Sequence, residues 1–201
     1  MFDLGGVLID WDPRYLYRSI FDDESRMEEF LATVTTREWN IAQDAGRPWS
    51  EAVEELATRY PEWRDEINAY WQRWPETLGE AIEPTVEILA ELRAAGVPLY
   101  ALSNWSAETF PFAEARYPFL SWFDGIVVSG FERLVKPDPR IFRLLLDRYG
   151  LQPSGTIFVD DQAANVEAAR GVGIHGIRFV DAPTLRADLA TLGLPEPARP
   201  E

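Results

Sequence analysis

Short apolar runs rich in β-forming residues recur along this chain and alternate with segments of helical periodicity. The candidate strands end at Asp3, Asn104, Ser129 and Asp160, and a further one covers about 176–180. Strands that alternate with helices in sequence are typical of a mostly parallel sheet with helices on both faces. The pattern therefore predicts an α/β fold.

Three helices are marked by their ends. The first covers about 84–95 and stops at Gly96, and the second begins at Asp138 and closes at Gly150. A third covers about 163–170, directly after an acidic pair. Asp is a preferred N-cap and Gly a preferred helix stop, so local sequence defines these ends.

Between about Trp11 and Ala81 the pattern is helical throughout, with Pro48 and Pro61 as breaks and no β-like run. A stripe of large apolar residues recurs there at helical spacing and consists of Trp63, Ile67, Tyr70, Trp71 and Trp74. Such a stripe is expected to be the packing face of a small helical bundle. The sequence thus predicts a helical insertion after the first strand.

Composition and charge restrict the function. The 201 residues, 46% of them hydrophobic, suffice for one well-cored domain with an insertion. Cysteine is absent, and no apolar run approaches the roughly 20 residues that a membrane helix needs. We therefore expect a cytoplasmic protein without membrane contact. The formal net charge of −15 argues against nucleic acid as a partner, because its phosphates are bound by basic surfaces.

Four polar clusters follow candidate strands, within 2–8, 99–104, 134–139 and 158–161. In open α/β sheets ligands bind beyond the carboxyl ends of the strands, so residues distant in sequence converge there on one crevice. The clusters are therefore expected to form a single site.

The residue types of these clusters suit a cation and an anion. Asp160 and Asp161 repel each other unless a cation lies between them, and Mg²⁺ with oxygen ligands fits. Lys136 is the only lysine of the chain and could neutralise a carboxylate nucleophile and its phosphate together. Ser103 and Asn104 offer a hydroxyl and an amide that can hold an oxyanion.

In this order, the four segments resemble the four motifs of the haloacid dehalogenase (HAD) superfamily, and the resemblance covers the whole chain. It implies a Rossmann-like α/β core made of residues 1–11 and 82–201. Residues 12–81 stand at the place of the family's small α-helical cap.

The resemblance also implies roles for individual residues. Asp3 matches the nucleophile that attacks phosphorus and becomes an aspartyl phosphate, and Lys136 matches the charge-neutralising lysine. Ser103 and Asn104 match the phosphate-binding pair, to which Gly6 is added. The implied substrate is a small phosphorylated metabolite.

A magnesium ion is the implied cofactor. In the family the metal is bound by the nucleophile, here Asp3, and by the backbone carbonyl two residues later, here that of Gly5. Asp161 matches a direct ligand, and Asp160 a ligand through water or an orienting group.

The chain departs from the pattern at Gly5, where most phosphatases of the family carry an aspartate that protonates the leaving group. Such a group typically contributes about 10²- to 10⁴-fold to the rate. The leaving group is then either easily expelled, as in an anomeric sugar phosphate or an acyl phosphate, or protonated by another carboxylate such as Asp10 or Asp12.

Two alternatives remain open. A 2-haloacid dehalogenase releases halide without a proton, but Asp160 and Asp161, uncompensated by a metal, would raise the pKa of Asp3 and weaken the nucleophile. The other alternative is a binding or regulatory protein that has kept the site and lost turnover.

The cap is expected to select the substrate. A polar and aromatic cluster on one of its helices could bind substrate hydroxyls and consists of Trp39, Asn40, Gln43, Asp44 and Arg47. Tryptophans on the cap surface are compatible with a pocket rim or with a homodimer contact. Only Met1 and Phe2 precede Asp3, whereas strands usually run about 5 to 6 residues, so we expect further apolar residues upstream in the natural chain.

Overall fold

The computed structural model describes residues 1–194, and residues 195–201, the last part of the predicted core, lie outside the description. Its centre is a parallel sheet with strands β3 (Tyr100–Ser103), β4 (Gly125–Val128), β5 (Ile157–Asp160) and β6 (His175–Arg178). β3 pairs with β4 and β5 with β6, each in parallel. Phe2 forms parallel bridges to Ala101 and Val159 and joins the two pairs. The order is therefore β4, β3, Phe2, β5, β6, as expected of the predicted α/β fold.

The buried Phe2 segment brings Asp3 to the middle of this sheet. The N–H of Phe2 donates to the carbonyl of Tyr100 at 2.9 Å, and the N–H of Asp3 donates to that of Val159 at 2.9 Å. Because all neighbouring strands run in the same direction, the side chain of Asp3 emerges where β3 and β5 end.

Helices cover both faces of the sheet. They are α6 (Glu83–Ala94), α7 (Phe110–Arg116), α8 (Ser129–Glu132), α9 (Pro139–Tyr149), α10 (Ala163–Gly171) and α11 (Ala182–Thr191). Successive strand residues point to opposite faces. Ala101 and Val159 belong to the apolar cluster that includes α6 and α11, and Leu102 and Phe158 to the cluster that includes α9 and α10.

The predicted ends of these helices are confirmed to within a residue for α6, α9 and α10. Asp138 caps α9 by accepting from the N–H of Arg140 at 2.9 Å. Gly150 ends α9 with a φ of +65°, a conformation that glycine adopts without strain. These signals are local in sequence, which is why they could be recognised without the structure.

Residues 12–77, here called the helical insertion, lie between two short strands. β1 (Ile9–Trp11) pairs antiparallel with β2 (Leu78–Ala81), and Ile9 stands opposite Ala81. The expectation of no strand before Ala81 is therefore wrong for Leu78–Ala81. Its residues include no β-branched side chain, so its extended form depends on pairing with β1 and not on propensity.

The helical insertion contains five α-helices and two short 3₁₀ helices, Pro61–Trp63 and Trp74–Thr77. The α-helices are α1 (Arg14–Tyr17), α2 (Glu24–Thr33), α3 (Arg37–Asp44), α4 (Trp49–Arg59) and α5 (Arg64–Gln72). The predicted apolar stripe packs inward, since Ile67, Tyr70 and Trp74 are buried and Trp63 and Trp71 pack against them. Among residues 1–194, no helix has both the length and the apolar character needed to cross a membrane.

Trp49, at the start of α4, ties the helical insertion to the core. Its ring stacks on that of Tyr70 with the centroids 5.4 Å apart. Its indole N–H donates to the hydroxyl of Ser106 at 3.1 Å, and its backbone N–H donates to Glu108 at 2.9 Å. Both acceptors lie after β3, so the insertion rests on the edge of the sheet where Asp3 emerges.

Candidate active site

The ammonium group of Lys136 lies at the centre of the polar residues gathered at the strand ends. Its Nζ is 2.8 Å from Oδ2 of Asp3 and 2.7 Å from Oδ2 of Asp160, and it donates to the carbonyl of Leu102 at 3.0 Å. Lys136 is only 3% exposed. Burial lowers the pKa of Lys136, but the charges of Asp3 and Asp160 outweigh it and leave the pKa above its ordinary value. The lysine is therefore a fixed, buried cation.

Asn104 holds the backbone of this lysine. Its Nδ2 donates to the carbonyl of Lys136 at 2.9 Å, and the N–H of Lys136 donates to Oδ1 of Asn104 at 2.8 Å. The Nδ2 group carries a second proton that this pair does not use. Ser103, the preceding residue, is buried at the end of β3. Of the two residues predicted to bind phosphate, Asn104 therefore contacts the lysine backbone, and Ser103 precedes it at the end of the strand.

Asp160 is fully buried and surrounded by donors. Its Oδ1 accepts from the N–H of Gln162 at 2.8 Å, and the amide of Asn165 donates to both of its oxygens at 3.0 Å. Because Lys136 also donates to Asp160, few lone pairs of Asp160 remain to bind a metal ion. This arrangement suits a group that orients Lys136, one of the two roles expected for Asp160.

Asp161 completes a group of three carboxylates. Oxygens of Asp3, Asp160 and Asp161 lie within 4.8 Å of one another. Asp161 is only partly buried, and its Oδ2 accepts from the side chain of Gln162 at 2.5 Å. Three carboxylates face one ammonium group, so a hard cation with oxygen ligands would balance the charge. The donor set therefore fits Mg²⁺.

Asp3 itself is 7% exposed, and its surroundings shift its pKa in opposite directions. Burial and the charge of Asp160 raise the pKa of Asp3 to about 7, although the charge of Lys136 lowers it. The N–H of Leu4 donates to its Oδ1 at 2.7 Å and also favours the ionised form. Lys136 therefore offsets only part of the effect of burial, and a further cation beside Asp3 would favour the ionised form that a nucleophile needs.

The two glycines after the Asp3 strand differ in their surroundings. Gly6 has a φ of +74°, and a Cβ at this residue would lie 3.2 Å from Cγ of Asp161. A Cβ on Gly5 would meet no atom within 4 Å. The turn therefore needs glycine at position 6 for conformation and space, whereas the space beside Gly5 is open.

The helical insertion adds one carboxylate to the site, that of Asp44 at the end of α3. The side chain of Asn40 donates to it at 3.4 Å, and the backbone N–H of Ser106 also donates to it. Burial and the charge of Asp3 raise the pKa of Asp44 to about 7. The hydrogen bond from Ser106 opposes this shift but does not cancel it. Asp44 is therefore close enough to Asp3 for their charges to interact.

The other residues in and after α3 that are predicted to contact substrate make their contacts mainly within the helical insertion. Trp39 packs edge-on against Trp49 and Tyr70. Gln43 is fully buried and donates to the carbonyl of Trp39 at 2.5 Å, and Arg47 forms an ion pair with Glu55 at 2.5 Å. Substrate contact by these residues and by Asn40 stays a prediction.

Sequence reasoning did not predict the contributions that three residues make to this site. Gln162 and Asn165 hold the acidic pair, but a Gln and an Asn in the first turn of α10 look like ordinary helix residues. Asp44 was grouped with hydroxyl-binding residues, and no sequence signal placed its carboxylate near Asp3.

A family model described as haloacid dehalogenase-like hydrolase matches residues 1–173 of this chain. The protein therefore belongs to the haloacid dehalogenase-like hydrolases, as the four sequence segments predict.

Two similar proteins are phosphatases by name. The chain is 28% identical over 183 residues to the sesquiterpene phosphatase astK of Aspergillus oryzae, covering 90% of this chain and 89% of that protein. It is 25% identical over 181 residues to a phosphorylated carbohydrates phosphatase of Thermotoga maritima, covering 88% and 82%.

Solved structures of the family share the fold. A haloacid dehalogenase-family enzyme from Bacteroides thetaiotaomicron, in complex with magnesium and inorganic phosphate, matches 90% of this chain and 92% of its own with a TM-score of 0.66 and 22% identity. The L-2-haloacid dehalogenase of Xanthobacter autotrophicus, with chloropropionic acid covalently bound, matches 97% and 83% with a TM-score of 0.63 and 20% identity. At these identities the likeness shows the fold alone.

Proposed function

We propose that this hydrolase is a Mg²⁺-dependent phosphatase that cleaves small phosphomonoesters through an aspartyl phosphate on Asp3. The observation that carries the proposal is the buried Lys136 between Asp3 and Asp160, beside a third carboxylate. Phosphoryl transfer asks a protein mainly for positioning and for neutralisation of charge, and this arrangement supplies both. The two phosphatase relatives support the same function. A neighbour of the same fold binds magnesium and inorganic phosphate, which is compatible with it.

In this reaction an oxygen of Asp3 attacks phosphorus in line while the bond to the leaving oxygen breaks. Lys136 holds Asp3 in place and neutralises the phosphoryl oxygens. The free proton of the Asn104 amide and the hydroxyl of Ser103 bind the same oxygens. Water then hydrolyses the aspartyl phosphate and regenerates Asp3.

Asp3, Asp161 and the carbonyl of Gly5 would hold Mg²⁺, and Asp160 would orient Lys136. When bound, the ion supplies positive charge for the phosphoryl group and for Asp3. The helical insertion would act as the cap that limits access of water and selects the substrate. An anomeric sugar phosphate or an acyl phosphate is a substrate class compatible with Gly5, because its leaving group needs little protonation.

Hydrolysis of a panel with and without metal tests the proposal. The panel contains sugar phosphates, acyl phosphates, p-nitrophenyl phosphate and 2-chloropropionate, each with Mg²⁺ and with EDTA. We expect phosphate release that requires Mg²⁺, abolished in Asp3→Asn and retained in Asp22→Asn, which makes the same change at an exposed site. Chloride release insensitive to EDTA would instead identify a dehalogenase, and full activity in Asp3→Asn would refute the mechanism.

A further inference from the structure

A phosphomonoester with a poor leaving group needs a proton on the departing oxygen, and Gly5 cannot provide one. This inference rests on the proposed phosphatase function. The space beside Gly5 is open, so an acid could reach the leaving group from elsewhere in the chain.

Asp10, within β1, and Asp12, directly after it, both make contacts of their own. Asp10 accepts a hydrogen bond from the hydroxyl of Tyr15. Asp12 accepts from the N–H of Arg14 at 2.9 Å and forms an ion pair with its guanidinium at 3.2 Å. Either carboxylate would have to give up these contacts to act as the acid.

The backbone of Asp44 is bound to the core near the ends of β3 and β4. Its carbonyl accepts from the hydroxyl of Ser129 at 2.6 Å, and this hydroxyl in turn accepts from the N–H of Trp105 at 2.9 Å. Ser129 follows β4 and Trp105 follows β3, so the end of α3 is fixed against two strand ends. Two residues later, a Cβ on Gly46 would lie 3.0 Å from the carbonyl of Gly130, which shows how closely the two backbones approach.

The carboxylate of Asp44 lies between Asn40 of the helical insertion and the backbone N–H of Ser106. Ser106 is two residues after Asn104, one of the residues proposed to bind phosphate. The charge of Asp3 also acts on Asp44, which is partly buried. No cation among residues 1–194 forms an ion pair with it.

We propose that Asp44 is the general acid and base that replaces the missing residue at Gly5. Its carboxylic acid protonates the leaving oxygen as the phosphorus–oxygen bond breaks and the Asp3–phosphorus bond forms. The carboxylate then takes a proton from the water that hydrolyses the aspartyl phosphate, which returns Asp44 to its acid form.

The surroundings of Asp44 suit this role at neutral pH. Burial, together with the charge of Asp3, raises its pKa to about 7, near the value at which a group both donates and accepts a proton efficiently. The titratable groups that face it are Asp3 and Tyr70, and the pKa of Tyr70 is raised far above neutrality by burial and by the charges of Asp44 and Asp12. Tyr70 therefore stays neutral and does not compete for the proton.

Leaving-group dependence distinguishes an acid from a structural residue. Asp44→Asn keeps the backbone carbonyl that binds Ser129, so the fold is expected to persist, with circular dichroism as the check. We expect kcat/KM for an alkyl phosphate such as glycerol phosphate to fall by about 10²-fold or more. For p-nitrophenyl phosphate, whose phenolate leaves without a proton, the fall should be less than about tenfold. Asp12→Asn, the same change at the carboxylate directly after β1, should show no such difference.

Equal losses on both substrates, or no loss on either, would overturn the role of Asp44, and so would a selective loss in Asp12→Asn. A wild-type protein that releases no phosphate from p-nitrophenyl phosphate with Mg²⁺ would overturn the proposed function itself. The two failures are therefore told apart by the wild-type measurement.

Discussion

Asn104 and Lys136 are joined by two hydrogen bonds in opposite directions, one from the amide of Asn104 at 2.9 Å and one from the N–H of Lys136 at 2.8 Å. The pair fixes the backbone from which the lysine side chain starts. The ammonium group must therefore reach Asp3, Asp160 and the Leu102 carbonyl with the length of a lysine side chain.

Lys136→Arg should lose most of the activity although it keeps the charge. A planar guanidinium is larger than an ammonium group. Because Asn104 holds the backbone at this position and the side chain is buried, the larger group cannot shift outward to fit. We expect kcat/KM for p-nitrophenyl phosphate to fall by about 10²-fold or more. Arg148→Lys, a change at a surface ion pair with Glu132, is the control. Unchanged kinetics in Lys136→Arg would mean that the lone lysine is incidental.

Mg²⁺ should stabilise the wild-type protein against heat, because it binds a site that exists only in the folded state. Asp161→Asn removes the least saturated of the three carboxylates and should weaken Mg²⁺ binding by about tenfold or more. Thermal unfolding over a Mg²⁺ titration measures both effects, and Asp147→Asn on the exposed side of α9 is the control. Equal titration curves for Asp161→Asn and wild type would place the metal elsewhere.

The two neighbouring glycines should respond differently to alanine. Gly6→Ala places a side chain at a φ of +74° and pushes a Cβ toward Asp161, so we expect a loss of about 1 to 2 kcal/mol in the free energy of unfolding, together with weaker Mg²⁺ binding. Gly5→Ala meets open space and should stay within about 0.5 kcal/mol of wild type. Urea unfolding measures both, and equal losses would contradict this account of the turn.

Gly5→Asp should restore an acid at the usual family position. Because a Cβ there meets no atom within 4 Å, the substitution can be accommodated. Introduced into Asp44→Asn, it should raise kcat/KM for glycerol phosphate by about tenfold or more, since general acid catalysis is typically worth 10²- to 10⁴-fold. Gly5→Asn in the same background should give no gain. An equal gain with Asn would show that the effect is not proton transfer.

The cap of α9 should make stability depend on pH in the acid range. The side chain and the N–H of Arg140 lower the pKa of Asp138 to about 2. A carboxylate whose pKa is lower in the folded than in the unfolded state stabilises the fold above about pH 4, and this contribution is lost as the pH falls towards 2. Wild type should therefore have a higher urea midpoint than Asp138→Asn at pH 7, and the difference should shrink between pH 4 and 2. A difference between the two urea midpoints that stays constant from pH 7 to 2 would contradict the lowered pKa of Asp138.

The fold could be predicted from the sequence wherever local signals decide it. The ends of α9 follow from Asp138 and Gly150, and the strand that ends at Asp160 from its apolar run before two carboxylates. Leu78–Ala81 could not be found in this way, because its extended form depends on a partner strand about 70 residues earlier in the chain.

The site was predicted to the extent that it lies on the core strands. Asp3 and Asp160 lie at the ends of neighbouring parallel segments, and that topology brings them together. Lys136 lies after α8 and is held beside them by its hydrogen bonds with Asn104. Asp44 depends on the docking of α3, which is determined by the Ser129 hydrogen bond and by the close approach of Gly46 to Gly130. Such contacts between distant segments leave no pattern in the sequence.

The hydrogen bonds of Trp49 to Ser106 and Glu108 bear on protein engineering. A helical insertion transplanted from a relative that lacks this tryptophan would leave the hydroxyl of Ser106 without the indole N–H. The backbone N–H that donates to Glu108 would be kept only if the insertion docks in the same way. Exchange of substrate preference between relatives should therefore need the loop after β3 to be transferred together with the insertion.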